Sequence, residues 1–405
     1  MAVGSRSERM SSIHQTMRPL PQIKTKIEIL EELAQVWNDS GYRYAVTNGL
    51  QGYPESIGRD LDICFETSYL KPALVKTVEF LDREGFLVLP YHLAWVYWVV
   101  GIRENADGSI DSIQVDLFDH LQWAFCWIID GVPANDECYR EGPFQTDYWS
   151  PAAKRLILNA LSGNKETFEK KPHYLDTDSK EREVMAGHFR RIAGSDFPEL
   201  REAVFKRDIE LIGAEIPAFR ASVMKRSLTH WAKIFSRFYS AWQKQWCVNI
   251  MPVRTAPIIS INGPDEDQLK DWTDGLNDYL ESHIVFTCDP VLPIPIRSEK
   301  VSGLKKWWEL TKKHVRQDRK RSALQVIQIF QNHPYLNSYS QFLGKWSKLK
   351  WIIPKPSFVV DVEDHPEVGT KEEFRGLMIR ELLKWFGVSS LTARRKLGLG
   401  GNQKV

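Results

Sequence analysis

Between Gly58 and Phe65 the chain reads Gly-Arg-Asp-Leu-Asp-Ile-Cys-Phe, an apolar run interrupted by two carboxylates one residue apart. Side chains i and i+2 of a β-strand share a face, so Asp60 and Asp62 project together while Leu61 and Ile63 point the other way. Like charges side by side repel, and packing gives no reason for them. A divalent cation between them removes the conflict, and hard carboxylate oxygens suit Mg²⁺ or Mn²⁺. The pattern therefore predicts a strand with one apolar and one acidic face.

The neighbouring segments supply company for that pair. Residues 112–118 alternate again, with Asp116 near the centre, and residues 94–102 are apolar and rich in β-branched and aromatic side chains. Asp107-Gly108 between them is a strong hairpin signal, so Asp116 falls on the second arm of a hairpin. It is the expected third acid, with Asp111 and Asp119 as nearby competitors. Upstream, residues 42–49 read as a strand ending in Gly49, which is either a turn glycine or a place where a phosphate approaches the backbone. Arg59 also has two readings, a phosphate contact or an ion pair with an acid. Residues 23–40 repeat apolar side chains at helical spacing: Ile27, Leu30, Leu33, Ala34 and Trp37. His120 reads as structural.

The order helix, strand-Gly, Asp-x-Asp strand, helix (70–85), hairpin, acid resembles the nucleotidyltransferase domain of the DNA polymerase β superfamily over residues 25–125. The resemblance implies Asp60, Asp62 and Asp116 as catalytic metal ligands, Gly49 and Arg59 as nucleotide-binding residues, and Mg²⁺ or Mn²⁺ as cofactor. It implies an NTP as donor and a hydroxyl group as acceptor. Three convergent carboxylates suit this chemistry, which is mostly positioning and neutralisation of negative charge. Many members carry Gly-Ser after the first strand, whereas this chain has Gly49-Leu50. Variants without that serine resemble proteins of bacterial surface-polysaccharide loci, which makes a glycan the expected acceptor by analogy.

Beyond the hairpin, residues 123–129 are expected to extend the first sheet before Asp130-Gly131 turns the chain. Ser150-Pro151 opens a helix to residue 161, Ser as N-cap and Pro as first helical residue. Further helices are expected over 180–192, 197–211 and 218–246. From residue 256 short apolar strands alternate with helices: 258–262, 283–287, 323–330 and 357–362, with a helix through Trp272, Leu276 and Leu280. Such alternation predicts a parallel sheet. Residues 256–390 resemble a thymidylate-kinase-like P-loop domain, on Ile258 to Asp265 as first strand and loop and on the Asp-x-Pro-Glu-Val that follows residues 357–362. The phosphate loop is eroded. After Gly263, Gln268 stands for the second glycine, Leu269 for the lysine and Lys270 for the hydroxyl residue, and Glu266 and Asp267 repel phosphate. Kinase activity is not expected of this half; packing, homodimer formation or substrate docking is.

The fold class predicted is α/β: a nucleotidyltransferase-like domain with a mixed sheet (23–125), a helical region (126–254) and a degenerate kinase-like domain with a parallel sheet (255–390). Residues 1–22 are expected to be disordered and 391–405 to form a basic tail. Lys plus Arg number 54 against 52 Asp plus Glu, a net charge of +2 that argues against nucleic acid as partner. The basic stretch 304–321, with Trp307 and Trp308, reads either as a solvated helix or as a surface for a polyanion. Five cysteines without a C-x-x-C spacing fit a reducing compartment, the cytoplasm, and neither a disulfide scaffold nor a zinc site. No apolar stretch is long enough for a membrane span. Two classes of function stay open. One is a metal-dependent nucleotidyltransferase, acting on a glycan or, as in toxin-like members, on RNA or protein. The other is a non-catalytic scaffold built on two worn nucleotide-binding folds.

Overall fold

The computed structural model describes residues 24–50, 52–58, 60–93, 95–105, 107–123, 126–130, 138–147, 168–169, 175, 179–228, 258–262, 266–283, 287–288, 326–331 and 358–399. Residues 1–22, Arg59, the expected helix at 150–161, the loop 263–265 and the basic stretch 304–321 lie outside these ranges, as does the predicted helix 218–246 beyond Leu228.

Thr25 and Glu28 form a capping box that starts helix α1 (Lys26–Asp39), each satisfying a backbone N–H that the first helical turn leaves unpaired. Its buried stripe is Ile29, Leu30, Leu33, Ala34 and Trp37, so Ile29 takes the place predicted for Ile27. Strands β1 (Tyr44–Asn48) and β2 (Asp60–Phe65) follow, then helix α2 (Thr67–Arg83) and strands β3 (Leu87–Leu93), β4 (Val96–Glu104) and β5 (Ile110–Phe118). The predicted hairpin is β4–β5, with Gly108 at positive φ in its turn. Strand β3 was not expected. It contains Pro90, which an edge strand tolerates because one side of its backbone needs no partner strand.

Residues 126–254 do not open with helix. Strands β6 (His120–Trp123) and β7 (Cys126–Asp130) pair with each other as a separate two-stranded sheet rather than extending the first one. Strands β8 (Cys138–Glu141) and β9 (Phe144–Asp147) do return to the first sheet, where β9 lies parallel to β1. The result is a seven-stranded mixed sheet in the order β3-β4-β5-β2-β1-β9-β8.

Helices α3 (Ser179–Ala193), α4 (Pro198–Phe205) and α5 (Ile209–Leu228) come next. The predicted single helix over 197–211 is broken at residues 206–208. Arg207 adopts φ 55°, and the Asp208 carboxylate accepts the Leu211 N–H at 3.0 Å, which starts a new helix.

The C-terminal half holds strand β10 (Ile258–Asn262), helix α6 (Glu266–His283), strands β11 (Thr287–Cys288), β12 (Val326–Gln331) and β13 (Phe358–Asp361), and helix α7 (Lys371–Leu397). The four strands form one sheet, all parallel, in the order β11-β12-β10-β13, as the alternation predicts. The second predicted strand is displaced: His283 ends α6, and the strand is Thr287–Cys288. Helix α7 runs past residue 390, so the first part of the predicted basic tail is helical, closed by Gly398 in a left-handed cap.

Strand periodicity divides the large sheet into two apolar faces. Leu61, Ile63, Phe65, Val88, Val99, Ile113, Val115 and Leu117 pack under α1 and α2. The other face is shared. Cys64, Val96 and Phe118 join the core built by α3, α4 and α5. Leu89, Val100, Ile102 and Ile110 join the core of the C-terminal half, with Leu276, Leu280, Phe374 and Leu382. Each such buried side chain contributes about 1.5–3 kcal/mol, so the C-terminal half is anchored on the sheet. Polar bonds fix the docking. The Ile110 N–H donates to the Tyr279 hydroxyl at 3.1 Å, and the Ser112 hydroxyl donates to the His283 carbonyl at 3.2 Å. Helix α7 lies along the edge strand β3, where the Ser390 hydroxyl and the Arg394 guanidinium both donate to the Val88 carbonyl. That occupies one acceptor an open edge would present to another chain. Among the described residues no helix is long and apolar enough to cross a membrane.

Candidate functional site

The centre of the large sheet brings the three predicted acids together. Strands β2 and β5 are parallel and in register, with Asp60 opposite Gln114 and Asp62 opposite Asp116. Pairing continues outward on both sides: Asn48 of β1 stands opposite Asp62, Trp98 of β4 opposite Asp116, and Tyr91 of β3 opposite Trp98. One row of side chains thus crosses five strands. Along β5 the acids occupy the interval between Ser112, held by the C-terminal half, and Phe118, buried under α3–α5.

One oxygen from each of Asp60, Asp62 and Asp116 lies within 4.8 Å of the others. Asp60 and Asp62 are partly buried and Asp116 is 8% exposed. Burial pushes the Asp116 carboxyl well above the usual carboxylate range, and the charges of Asp62 and Asp60 push it further. Hydrogen bonds from Gln114 and Trp98 oppose the rise. The competitors are occupied elsewhere. Asp111 takes two hydrogen bonds from Arg103, at 2.9 and 3.2 Å. Asp119 accepts from His120 at 2.6 Å, and although burial would raise its carboxyl, His120 and a hydrogen bond from Thr67 hold it below the usual value. His120 also lies against the Trp95 ring.

The reason for Gly49 is visible in the backbone. Its φ is +106°, and a Cβ there would stand 2.4 Å from the Asp60 carbonyl oxygen. Only glycine fits, because an L side chain is strained at that φ and the obstacle is main chain. The Gly49 carbonyl in turn accepts the Gly58 N–H at 2.7 Å, which closes the loop, and the Gly58 carbonyl accepts from Lys26 at 2.8 Å. Gly49 therefore places Asp60 by letting the chain cross close to it. Arg59 lies outside the described residues.

Two residues that the sequence reading passed over complete the arrangement. The Asn48 amide donates to Asp62 Oδ2 at 3.0 Å, and the Gln114 amide donates to Asp116 Oδ1 at 2.9 Å. Gln114 had a signal: it is a polar residue in an apolar strand, on the same face as Asp116. Asn48 had only its place at the end of β1.

No family model, curated protein or solved structure matches this chain.

The chemistry of the site is therefore set by its own donors. Three carboxylates from two strands offer hard oxygens that could hold a cation such as Mg²⁺ or Mn²⁺. A cation at the cluster would offset the mutual repulsion and the burial that raise Asp116.

Proposed function

We propose that this chain is a metal-dependent nucleotidyltransferase that moves a nucleotidyl group from an NTP to a hydroxyl acceptor. The observation that carries the reading is the convergence of Asp60, Asp62 and Asp116 within 4.8 Å on one face of the sheet. Asp60, Asp62 and Asp116 would together hold the cation. A bound divalent cation supplies charge neutralisation for the triphosphate and the departing pyrophosphate. Asp116, ionised when a cation is bound beside it, is the group placed to take the proton of the acceptor hydroxyl. The acceptor oxygen forms the new bond to the α-phosphorus, and the bond to the β-phosphate bridge breaks. The order of elements around the acids supports the resemblance to the polymerase β superfamily, and a glycan hydroxyl as acceptor follows from that resemblance alone.

In the C-terminal half, the parallel sheet is consistent with a kinase-like ancestry. Its apolar contact with β3, β4 and β5 supports a packing role.

The test is calorimetric binding of ATP, GTP, CTP and UTP, with and without Mg²⁺, to the wild type and to Asp60→Ala/Asp62→Ala. Binding of one NTP that needs both the metal and the acids is the expected result. Binding that survives the double substitution would move the nucleotide site away from this cluster.

A further inference from the structure

We infer that Asn48 and Gln114 are positioning residues that hold Asp62 and Asp116 in the orientation a small octahedral cation requires, leaving Asp60 to complete the site. The inference rests on the metal-site reading of the cluster.

A carboxylate turns about its last bond, so two neighbouring acids can avoid each other by rotating apart. Here that freedom is removed twice. Asn48 Nδ2 holds Oδ2 of Asp62 at 3.0 Å, and Gln114 Nε2 holds Oδ1 of Asp116 at 2.9 Å. Both donors are neutral amides. They fix direction without cancelling the negative charge, unlike the guanidinium of Arg103 on Asp111. Gln114 is 0% exposed and sits two residues before Asp116 on the same strand, so its amide is itself held by the packed sheet. Asn48 is anchored at the end of β1, opposite Asp62, where the ladder is irregular between Val46 and Asn48. Trp98 stands opposite Asp116 on the neighbouring strand. Among the described residues no side-chain donor reaches the Asp60 carboxylate. Two acids are thus set in advance and the third is left to the cation.

Cations differ in how much they need this. Mg²⁺ demands near-ideal octahedral geometry, whereas Ca²⁺ accepts flexible arrangements of oxygen ligands. Outer partners that orient metal ligands typically change metal affinity by about 10–100-fold when lost. The amides should therefore matter for Mg²⁺ and much less for Ca²⁺. A role confined to general stability would not separate the two ions.

The experiment is calorimetric titration of Mg²⁺ and of Ca²⁺ into the full chain as wild type, Asn48→Ala and Gln114→Leu. Each substitution is expected to raise the Mg²⁺ dissociation constant about 10-fold or more while Ca²⁺ changes by no more than about 3-fold. Gln114 is buried, so if Gln114→Leu fails to fold, the partly buried Asn48→Ala decides. Unchanged Mg²⁺ affinity in Asn48→Ala, or equal losses for both ions, would overturn the positioning role while leaving the metal site in place. A wild type that binds neither ion would instead overturn the metal-site reading itself.

Discussion

Asp62 and Asp116 are register partners on parallel strands, and each accepts a hydrogen bond from a side-chain amide, Asn48 on one and Gln114 on the other. Two carboxylates are thereby kept side by side, where their charges oppose folding. The cost falls on Asp116, which is the more buried of the two.

That cost has a pH signature. Burial, then Asp62 and Asp60, raise the folded-state pKa of Asp116 above its unfolded value. A raised folded pKa means stability that is fully present below the ordinary carboxylate value of about 3.9 and lost as pH rises through the folded value. The melting temperature of protein treated with EDTA is expected to fall over that rise. Saturating Mg²⁺ should restore it most at the alkaline end, and Asp116→Asn should flatten the profile. Parallel profiles for wild type and Asp116→Asn would show that Asp116 carries no such cost.

Gly49→Ala is expected to destabilise the protein by about 1–3 kcal/mol, because φ is +106° and the new Cβ meets the Asp60 carbonyl. The Gly49 loop and the Asp60 backbone have to separate to relieve the contact, and the cation affinity should fall as well if Asp60 shifts. Chemical denaturation and metal titration of the same variant check both effects.

The C-terminal helix is tied to the first half by a fork. Arg394 Nη1 donates to Asp82 Oδ2 at 2.6 Å, and Nη2 donates to Oδ1. The pair is partly exposed, so its coupling in a double-mutant cycle of Asp82→Ala and Arg394→Ala should be about 1–2 kcal/mol.

Removal of residues 371–405 would do more. It uncovers the Val88 carbonyl on the edge of β3 and takes Phe374, Leu377, Leu382 and Phe386 out of the core shared with Leu89, Val100, Ile102 and Ile110. The shortened chain is expected to aggregate, which light scattering would detect. A monomeric, cooperatively folded product would contradict the shared core.

The acids were legible because a strand has period two. Asp60, Asp62 and Asp116 each sit in an alternating run, and alternation alone assigns them to a face. Alternation puts Asp116 on the opposite face from Asp111 and Asp119, but nothing local says which face meets Asp60 and Asp62. The choice is made by the parallel register of β2 and β5, which no turn specifies and which brings together residues more than fifty positions apart. The hairpin was readable from Asp107-Gly108, a local signal. The docking of Tyr279 on Ile110 was not, since it depends on apolar faces that meet only in the folded chain. Strand β3 was missed because Pro90 argues against a strand until an edge position explains it. The break after α4 was missed because the apolar spacing runs on through Arg207, while the Asp208 cap decides the matter. Gly49 was recognised as special, and its reason proved to be the Asp60 carbonyl.

The most direct test of the cation site is electron paramagnetic resonance of Mn²⁺ titrated into wild type, Asp62→Asn and Asp116→Asn, with folding checked by circular dichroism. One tightly held Mn²⁺ per wild-type chain, lost or weakened at least about 10-fold in both variants, is the expected result. Wild type and folded variants that leave Mn²⁺ equally free would contradict a metal site at Asp60, Asp62 and Asp116, and the proposed transferase with it.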